Sequence, residues 1–441
     1  MEDTVSAIDP TLPRVDNQSV PPQVDTLRSE ILEHVGSREE WWSLPGAFYS
    51  DAAVYEAELE AIWRSGWLFI GHSCEVSAPG DFLTYEVGPD PLLFIRGDDR
   101  VLRGFHNVCR HRGTRLCREA SGSIAELECP YHGWTYRRDG ALSSCKGMGG
   151  NVTLGETELQ RVHVKELGGM IFASLAESPP EFGAASELLG PQLAPQGLEQ
   201  AKVAKAVTYD VPVNWKLIWE NNRECYHCIQ NHPQYTLANF DHHNSDDTTD
   251  ELRETLKAAQ LRHDQALKSA GIEVSHSDTG MALFPDPETG RWYSADRTTL
   301  VEGYLTESMD GALVSTLMGA YTEPDVGTLR VRTMPNCWMH ASCDHAVSTS
   351  FAPIDKDNTR IIVRWLVAGD AVEGADYDLS KVMPFWQLTS EQDWELCEEV
   401  QRGVLSSGYR PGPLSRTKEY CLNAFLSWYC GALKDWAGES K

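Results

Sequence analysis

At 441 residues, with 41% hydrophobic content and 14 Trp, the chain is long enough for two packed cores, which excludes a disordered or fibrous protein. A formal charge of −27 argues against nucleic acid or an anionic membrane surface as a partner. The sequence has no apolar run of 18 residues and its start, MEDTVSAIDP, lacks an apolar signal core, so the expectation is a cytoplasmic protein with no membrane span.

Residues 1 to about 25 are rich in Pro, Asp, Ser and Val without periodicity, and read as a loose arm. Leu27 to Val35 reads as a helix. Asp51 to Trp67 does so more strongly, with Asp51 as N-cap and Val54, Leu59, Ile62 and Trp63 near helical spacing. From Trp67 to about Leu175 the texture changes to short β runs punctuated by Gly, Pro and Asp. Ser178 to Gly197 reads as a Pro/Gly-rich connector. From Lys202 onward, strands alternate with helices around Trp219–Ile229, Leu252–Ser269 and Pro384–Gln401, an α+β domain of catalytic size. The expected organisation is an N-terminal arm and helix (1–45), a small β domain (46–178), a linker (179–204) and a catalytic domain (205–441).

The β domain carries Cys109 and His111 in CRHRGTRLC, then Cys129 and His132 in CPYHGWTY. Two thiolates and two imidazoles from paired loops fit a Rieske [2Fe–2S] cluster, in which His₂ replaces Cys₂ on one iron. Structural zinc also accepts Cys₂His₂, but common zinc modules pair Cys with Cys and His with His, whereas here each loop supplies one of each. The other ten cysteines are scattered and read as reduced thiols. Cys225 and Cys228 form a Cys-x-x-Cys, read as packing neighbours of a metal ligand rather than as a redox pair. Gly147 to Gly155 lacks the Gly-x-Gly-x-x-Gly pattern of a dinucleotide loop and is assigned to a turn. There is no Walker loop, so no site for NAD or flavin is visible and electrons must come from elsewhere.

A cluster that moves one electron at a time needs an acceptor. Asn214 to Pro233 (NWKLIWENNRECYHCIQNHP) places Glu224 three residues before His227 and His232 five after it. Five residues on a helix carry the second His off the first one's face, so both reach one ion only if the helix distorts or ends between them. Pro233 supplies such an ending. Two His with one distant carboxylate make the iron(II) site used for O₂ activation. Asp393 is the first choice for that carboxylate, with Glu391, Glu395 and Glu398 as rivals on the same acidic helix. Asp241 to Asp247 (DHHNSDD) reads as a solvated loop.

Over about Trp41 to Tyr429 the sequence resembles the oxygenase (α) subunits of Rieske non-haem iron ring-hydroxylating oxygenases. NVCRHRGTRLC, CPYHGWTY and NWK…ENNRECYHC…HP carry the likeness. ENNRECYHC, VEGADYD, QDWELCEEVQRG and GYRPGPLS…FLSWY resemble the quaternary-amine branch, the glycine betaine and proline betaine (stachydrine) demethylases with choline and carnitine oxygenases nearby. The resemblance implies a small β-sandwich-like Rieske domain plus an α+β catalytic domain with an antiparallel sheet. It implies a cluster on Cys109, His111, Cys129 and His132, and mononuclear Fe(2+) on His227, His232 and Asp393. Glu224 matches the acid that joins a cluster His of one subunit to an iron His of the next, here His132 and His227, which implies a homotrimer. Aromatic-ring dioxygenases usually carry Asp there. A separate NAD(P)H-dependent flavin or ferredoxin-type reductase would supply electrons. The implied reaction is N-demethylation by O₂, with glycine betaine first, proline betaine second, carnitine or choline next and an arene last. Aromatic faces should hold the cation, from Trp219, Tyr226, Tyr235, Trp292, Tyr304, Tyr321, Trp338, Trp365, Trp386 and Trp394, and a residue between Arg330 and Asn336 should hold the carboxylate. A simple electron-transfer protein would leave the roughly 240 residues from Lys202 onward without a purpose.

Overall fold

The computed structural model describes residues 22–150, 152–153, 155, 157–243, 248–272, 283–286, 289 and 291–438; most of the expected N-terminal arm lies outside them. The expected first helix is present as Pro22–Gly36. The second starts where predicted: Asp51 accepts a hydrogen bond from the Ala53 amide at 2.8 Å and caps Ala52–Glu58, which continues as one wider turn through Leu59–Trp63.

Two large antiparallel sheets follow. The first has seven strands in the order Leu68–His72, Met170–Ser174, Arg161–Leu167, Leu102–His106, Asp90–Arg96, Asp81–Val87, Ser121–Ser123. A small three-stranded sheet, Leu127–Glu128, Thr135–Tyr136 and Leu142–Ser144, stands beside it. The second large sheet has six strands in the order Ala201–Val211, Thr359–Ala368, His345–Pro353, Cys337–Ala341, Thr328–Thr333, Tyr293–Thr298. Helices Trp215–Asn222, Pro384–Val404 and Tyr420–Gly438 pack on it through Trp215, Trp219, Trp394 and Phe425.

The segment read as a connector is ordered. Gly183–Leu193 is a helix that buries Ala185, Leu189 and Leu193, an i, i+4, i+8 stripe, against Phe172, Leu329 and Met339. Pro191 lies inside this helix and forgoes one i→i−4 backbone hydrogen bond, a cost the buried stripe offsets.

The N-terminal helices are tied to the catalytic ones through a fully buried carboxylate. Glu58 accepts from Lys216 Nζ (2.5 Å), Tyr429 Oη (2.5 Å) and Trp215 Nε1 (2.7 Å). A charge buried at this depth persists only when paired and hydrogen-bonded, as here. These contacts set the frame that holds the site helices.

In the six-stranded sheet, side chains alternate between faces. Leu329, Val331, Cys337, Met339 and Ala341 point into one apolar cluster. The register sets Arg330 opposite His340 and Asp296, and Arg332 opposite Trp338 and Ser294, on the other face. That polar and aromatic face looks onto the segment containing His227 and His232.

Candidate active site

The first constellation is built by two loops of the same design. Cys109 accepts at its carbonyl from Gly113 N (2.9 Å) and donates its amide to Thr114 O (2.8 Å); Cys129 does the same with Gly133 N (3.0 Å) and Trp134 O (2.7 Å). Each turn needs a residue four positions after the Cys at positive φ, and each has Gly there, Gly113 at +79° and Gly133 at +68°. The loops present buried sulfurs and outward imidazoles: Cys109 and Cys129 are each 2% exposed, whereas His132 is exposed. His111 and His132 face each other with Nδ1 atoms 3.1 Å apart, and Trp134 stacks flat on His111 (4.7 Å, 8°). Tyr136 Oη lies 3.4 Å from Cys109 Sγ and accepts from Arg110 N at 3.1 Å.

These four residues do not converge on one point. Among the described residues, the group of three or more His, Cys, Asp or Glu whose donor atoms all lie within 4.8 Å of one another is His227, His232 and Asp393. A tetrahedral zinc would draw all four donors together. A cluster with one iron for the thiolates and another for the imidazoles accounts for the separation.

The second constellation is the triad. Helix Trp215–Asn222 ends earlier than the sequence suggested, at Arg223 (ψ 12°), so His227 lies beyond it. The chain then makes a short turn, Cys228–Asn231, and His232 (φ −127°, ψ 65°) joins it to Pro233–Ala238. The two His therefore reach one point because the helix is broken on both sides of them, which is how Pro233 acts. Asp393 comes from the middle of Pro384–Val404. Its Oδ1 is 3.3 Å from His227 Nε2 and 2.9 Å from His232 Nε2.

The second ring nitrogens fix the tautomers. His227 Nδ1 is 2.6 Å from Glu224 Oε1, and His232 Nδ1 is 2.8 Å from Gln392 Oε1. A carboxylate or amide oxygen only accepts, so each Nδ1 carries the proton and each Nε2 turns a lone pair toward Asp393. Gln392 is itself oriented by Gln234, whose Nε2 donates to Gln392 Oε1 and Thr389 Oγ1, both at 2.9 Å. Two lone pairs and a carboxylate oxygen aimed at one another repel unless a cation lies between them. That cation is a metal, or else a proton on Nε2 of His227: burial opposes charge on this imidazole, yet hydrogen bonds to Asp393 and Glu224 raise its pKa to about 10 when no metal competes. The donor set, two imidazoles and one carboxylate with open positions, fits iron(II).

Glu224 also accepts from the amides of Tyr226 and His227, so its carboxylate is held rigidly beside His227. Within one chain the described contacts of His132 are with His111 and Tyr131, and none reaches Glu224. Of the rival acids, Glu391 receives hydrogen bonds from Tyr209 and Gln387, and Glu398 pairs with Arg402.

The triad opens on a small cavity that is continuous with solvent. Of the ten aromatic candidates, Tyr235, Trp338 and Trp386 line it, with Arg330, Arg332 and His340. Trp219 and Trp365 are fully buried core residues and Tyr226 is exposed. Two sequence expectations fail here. Cys225 and Cys228, read as thiols, are joined by a disulfide, because the turn between Arg223 and His227 brings their Cα atoms to 5.0 Å; they form part of the cavity wall. Asp241, assigned to a solvated loop, is 8% exposed and bonded to Tyr235 Oη and Arg330 Nη1, so it belongs to the wall too. Residues 244–247 of that loop lie outside the described residues. Of the expected Gly147–Gly155 turn, Gly147, Gly149 and Gly150 take positive φ.

Residues 66–155 match the family described as the Rieske [2Fe-2S] domain, and residues 198–435 match the ring hydroxylating alpha subunit (catalytic domain). The chain is 38% identical over 426 residues to the glycine betaine monooxygenase oxygenase subunit of Pseudomonas aeruginosa (strain UCBPP-PA14), covering 94% of this chain and 95% of that one. It is 39% identical over 407 residues to the protein of the same name from Chromohalobacter salexigens, covering 92% and 87%. The solved structure of the quaternary ammonium Rieske monooxygenase CntA with an inhibitor shares the fold, with a TM-score of 0.68, 21% identity, and coverage of 91% of this chain and 98% of that one. No helix among the described residues is long and apolar enough to cross a membrane.

Proposed function

The chain belongs to the ring-hydroxylating α-subunit family of Rieske oxygenases, and from that membership we propose that it N-demethylates glycine betaine to dimethylglycine and formaldehyde. The observation that carries the reading is the convergence of His227, His232 and Asp393 at a cavity walled by Tyr235, Trp338 and Trp386. Aromatic faces hold quaternary ammonium through its positive charge, and buried arginines on the same wall suit a carboxylate.

Cys109, Cys129, His111 and His132 would hold the cluster, and His227, His232 and Asp393 the iron. When bound, these groups supply single electrons and O₂ activation at open coordination positions. Overall, O₂, two electrons and two protons convert one N-methyl group to a carbinolamine and one water. The carbinolamine C–N bond then breaks, releasing formaldehyde, a proton and the tertiary amine. The chain's own residues do the positioning. Glu224 and Gln392 fix both imidazoles in the ligating tautomer. The aromatic wall holds the cation with a methyl group toward the triad and limits water beside it.

Glu224 also relays electrons between a cluster His and an iron His. His132 is exposed and does not meet Glu224 within one chain, which supports a relay from His132 of one copy to Glu224 and His227 of another; family membership supports a homotrimer as the assembly. The electrons enter from a separate NAD(P)H-dependent flavin or ferredoxin-type reductase, and the proposed compartment is the cytoplasm.

Single-turnover formaldehyde release tests the reading. The reduced, iron-loaded protein meets O₂ with glycine betaine, proline betaine, carnitine, choline or an arene in parallel. Formaldehyde from glycine betaine is the expected result. Formaldehyde from proline betaine alone shifts the substrate, and a hydroxylated arene without formaldehyde refutes the N-demethylase reading.

A further inference from the structure

Arg330 and Arg332 lie two apart on Thr328–Thr333, so both leave the face that lines the cavity. Their surroundings differ. Arg330 has its charge answered inside the protein, by the Asp241 carboxylate and by Asn239 Oδ1 (2.9 Å). Arg332 is 3% exposed and, among the described residues, makes one hydrogen bond, from Nη1 to Asp296 Oδ1 at 3.0 Å.

A third guanidinium stands close by. Arg223 is fully buried, and none of its three nitrogens has a hydrogen-bond partner among the described residues. Its guanidinium lies over the rings of Trp219 (5.7 Å) and Phe284 (5.5 Å) and feels the Asp296 carboxylate without a hydrogen bond to it. Burial, and then the positive charge of Arg332, pull its pKa down to about 10. On the acidic side there is Asp296, whose Oδ2 also lacks a partner, as does the neighbouring Ser294 Oγ. Two buried cations thus share one carboxylate, beside polar atoms with unused hydrogen-bonding capacity. Buried charge is costly when unpaired, so the wall behind Arg332, which itself lines the cavity, is short of one anion.

We infer that Arg332 binds the carboxylate of a zwitterionic substrate, with Arg223 as a second positive charge behind it, and that this pair makes the enzyme select betaines over simple quaternary cations. The inference rests on the N-demethylase reading and goes further by assigning the specificity-determining residue. Trp338 lies directly across the strand pair from Arg332, so one face of the sheet offers an aromatic surface for the ammonium group beside a guanidinium for the carboxylate. Arg330 spends both Nη atoms on Asp241 and Asn239 and leaves only Nε unpartnered, and no second guanidinium competes for Asp241 as Arg223 does for Asp296, so Arg330 is the weaker anchor.

The test is a ligand-by-residue cycle on the holoenzyme. Dissociation constants for glycine betaine, its methyl ester and choline are measured by calorimetry on the wild type, Arg332→Gln and Arg332→Lys. Cluster absorbance and iron content check that each variant is folded and loaded. Losing one partner of a buried charge pair weakens binding by about 30-fold or more, so the wild type should favour glycine betaine over the ester and choline by at least that factor. Arg332→Gln should collapse the preference to a few-fold by weakening the betaine alone, and Arg332→Lys should retain part of it. Both ligands meet the same folded variant, so general damage does not move the ratio. Should Arg332→Gln fail to fold, the wild-type comparison of betaine with its ester still decides, since equal affinity for the two sinks the inference. A wild type that releases formaldehyde from glycine betaine, with a preference that survives in Arg332→Gln, overturns the assignment of Arg332 alone. A wild type that releases none from any betaine overturns the parent reading and this inference with it.

Discussion

Tyr136→Phe removes one oxygen from the Rieske unit, and the structure predicts its electrochemical effect. Tyr136 Oη is 3.4 Å from Cys109 Sγ, a normal distance for a hydrogen bond to sulfur, and the ring is fully buried, so the contact is shielded from water. A cluster gains negative charge on reduction, and donors to its sulfurs stabilise the reduced form. A hydrogen bond to an ionised acceptor contributes about 1.5–3 kcal/mol, but only the difference between the oxidised and reduced states moves the potential. Taking about one third, or ~0.5–1 kcal/mol, and converting at ~59 mV per tenfold for one electron gives a fall of ~20–40 mV. The Arg110 amide also loses an acceptor, at a stability cost of about 1 kcal/mol. The assay is a potentiometric titration of the purified protein followed by visible circular dichroism. An unchanged or raised midpoint, with the cluster spectrum intact, would refute the argument that this hydroxyl donates to the cluster.

Three further outcomes are expected. Asp393→Ala should lose iron, shown by metal analysis, and lower formaldehyde release by at least ~10²-fold while keeping the cluster spectrum, since a ligand counts for more than the outer partners whose loss costs ~10–100-fold. Glu224→Gln should retain both metals but slow turnover ~10–100-fold, with cluster oxidation in single turnover as the slow step; full-speed cluster oxidation would remove Glu224 from the electron path. His72, buried between Ser348 Oγ (2.8 Å) and Gly169 O (3.2 Å), has its pKa lowered by burial from 6.5 to about 4. The unfolded chain therefore binds the extra proton first on acidification, so up to ~3 kcal/mol of stability is lost as pH falls from about 6.5 to 4. A thermal-melt series across that range should be flatter for His72→Gln than for the wild type.

What the sequence revealed divides along contact range. The cluster loops are local devices: a Cys, an outward His and a Gly four after the Cys close each turn by bonds within six residues, so their chemistry is visible in a short string. The triad is half local. His227 and His232 announce themselves beside Pro233, but Asp393 lies 161 residues beyond His232, on a helix where Glu391, Glu395 and Glu398 have equal claim by composition. Asp393 is the first choice among them, and resemblance to a family supports it. Where the two failed readings concern the cavity wall, the cause is the same. Asp241 begins a string of polar residues and looks solvated, yet Arg330, 89 residues away, buries it. Cys225 and Cys228 flank a ligand, and nothing in their spacing told that the helix ends at Asn222 and folds them together. Gln234 and Gln392, which orient His232, carry no signature at all, because an amide's role depends on what faces it. The cluster loops and the two His are thus written locally, whereas the surroundings of the cavity arginines are set by strand register and distant pairing. Arg330 and Arg332 lie two apart on one strand, yet Asp241 and Asn239 meet the first and Asp296 the second.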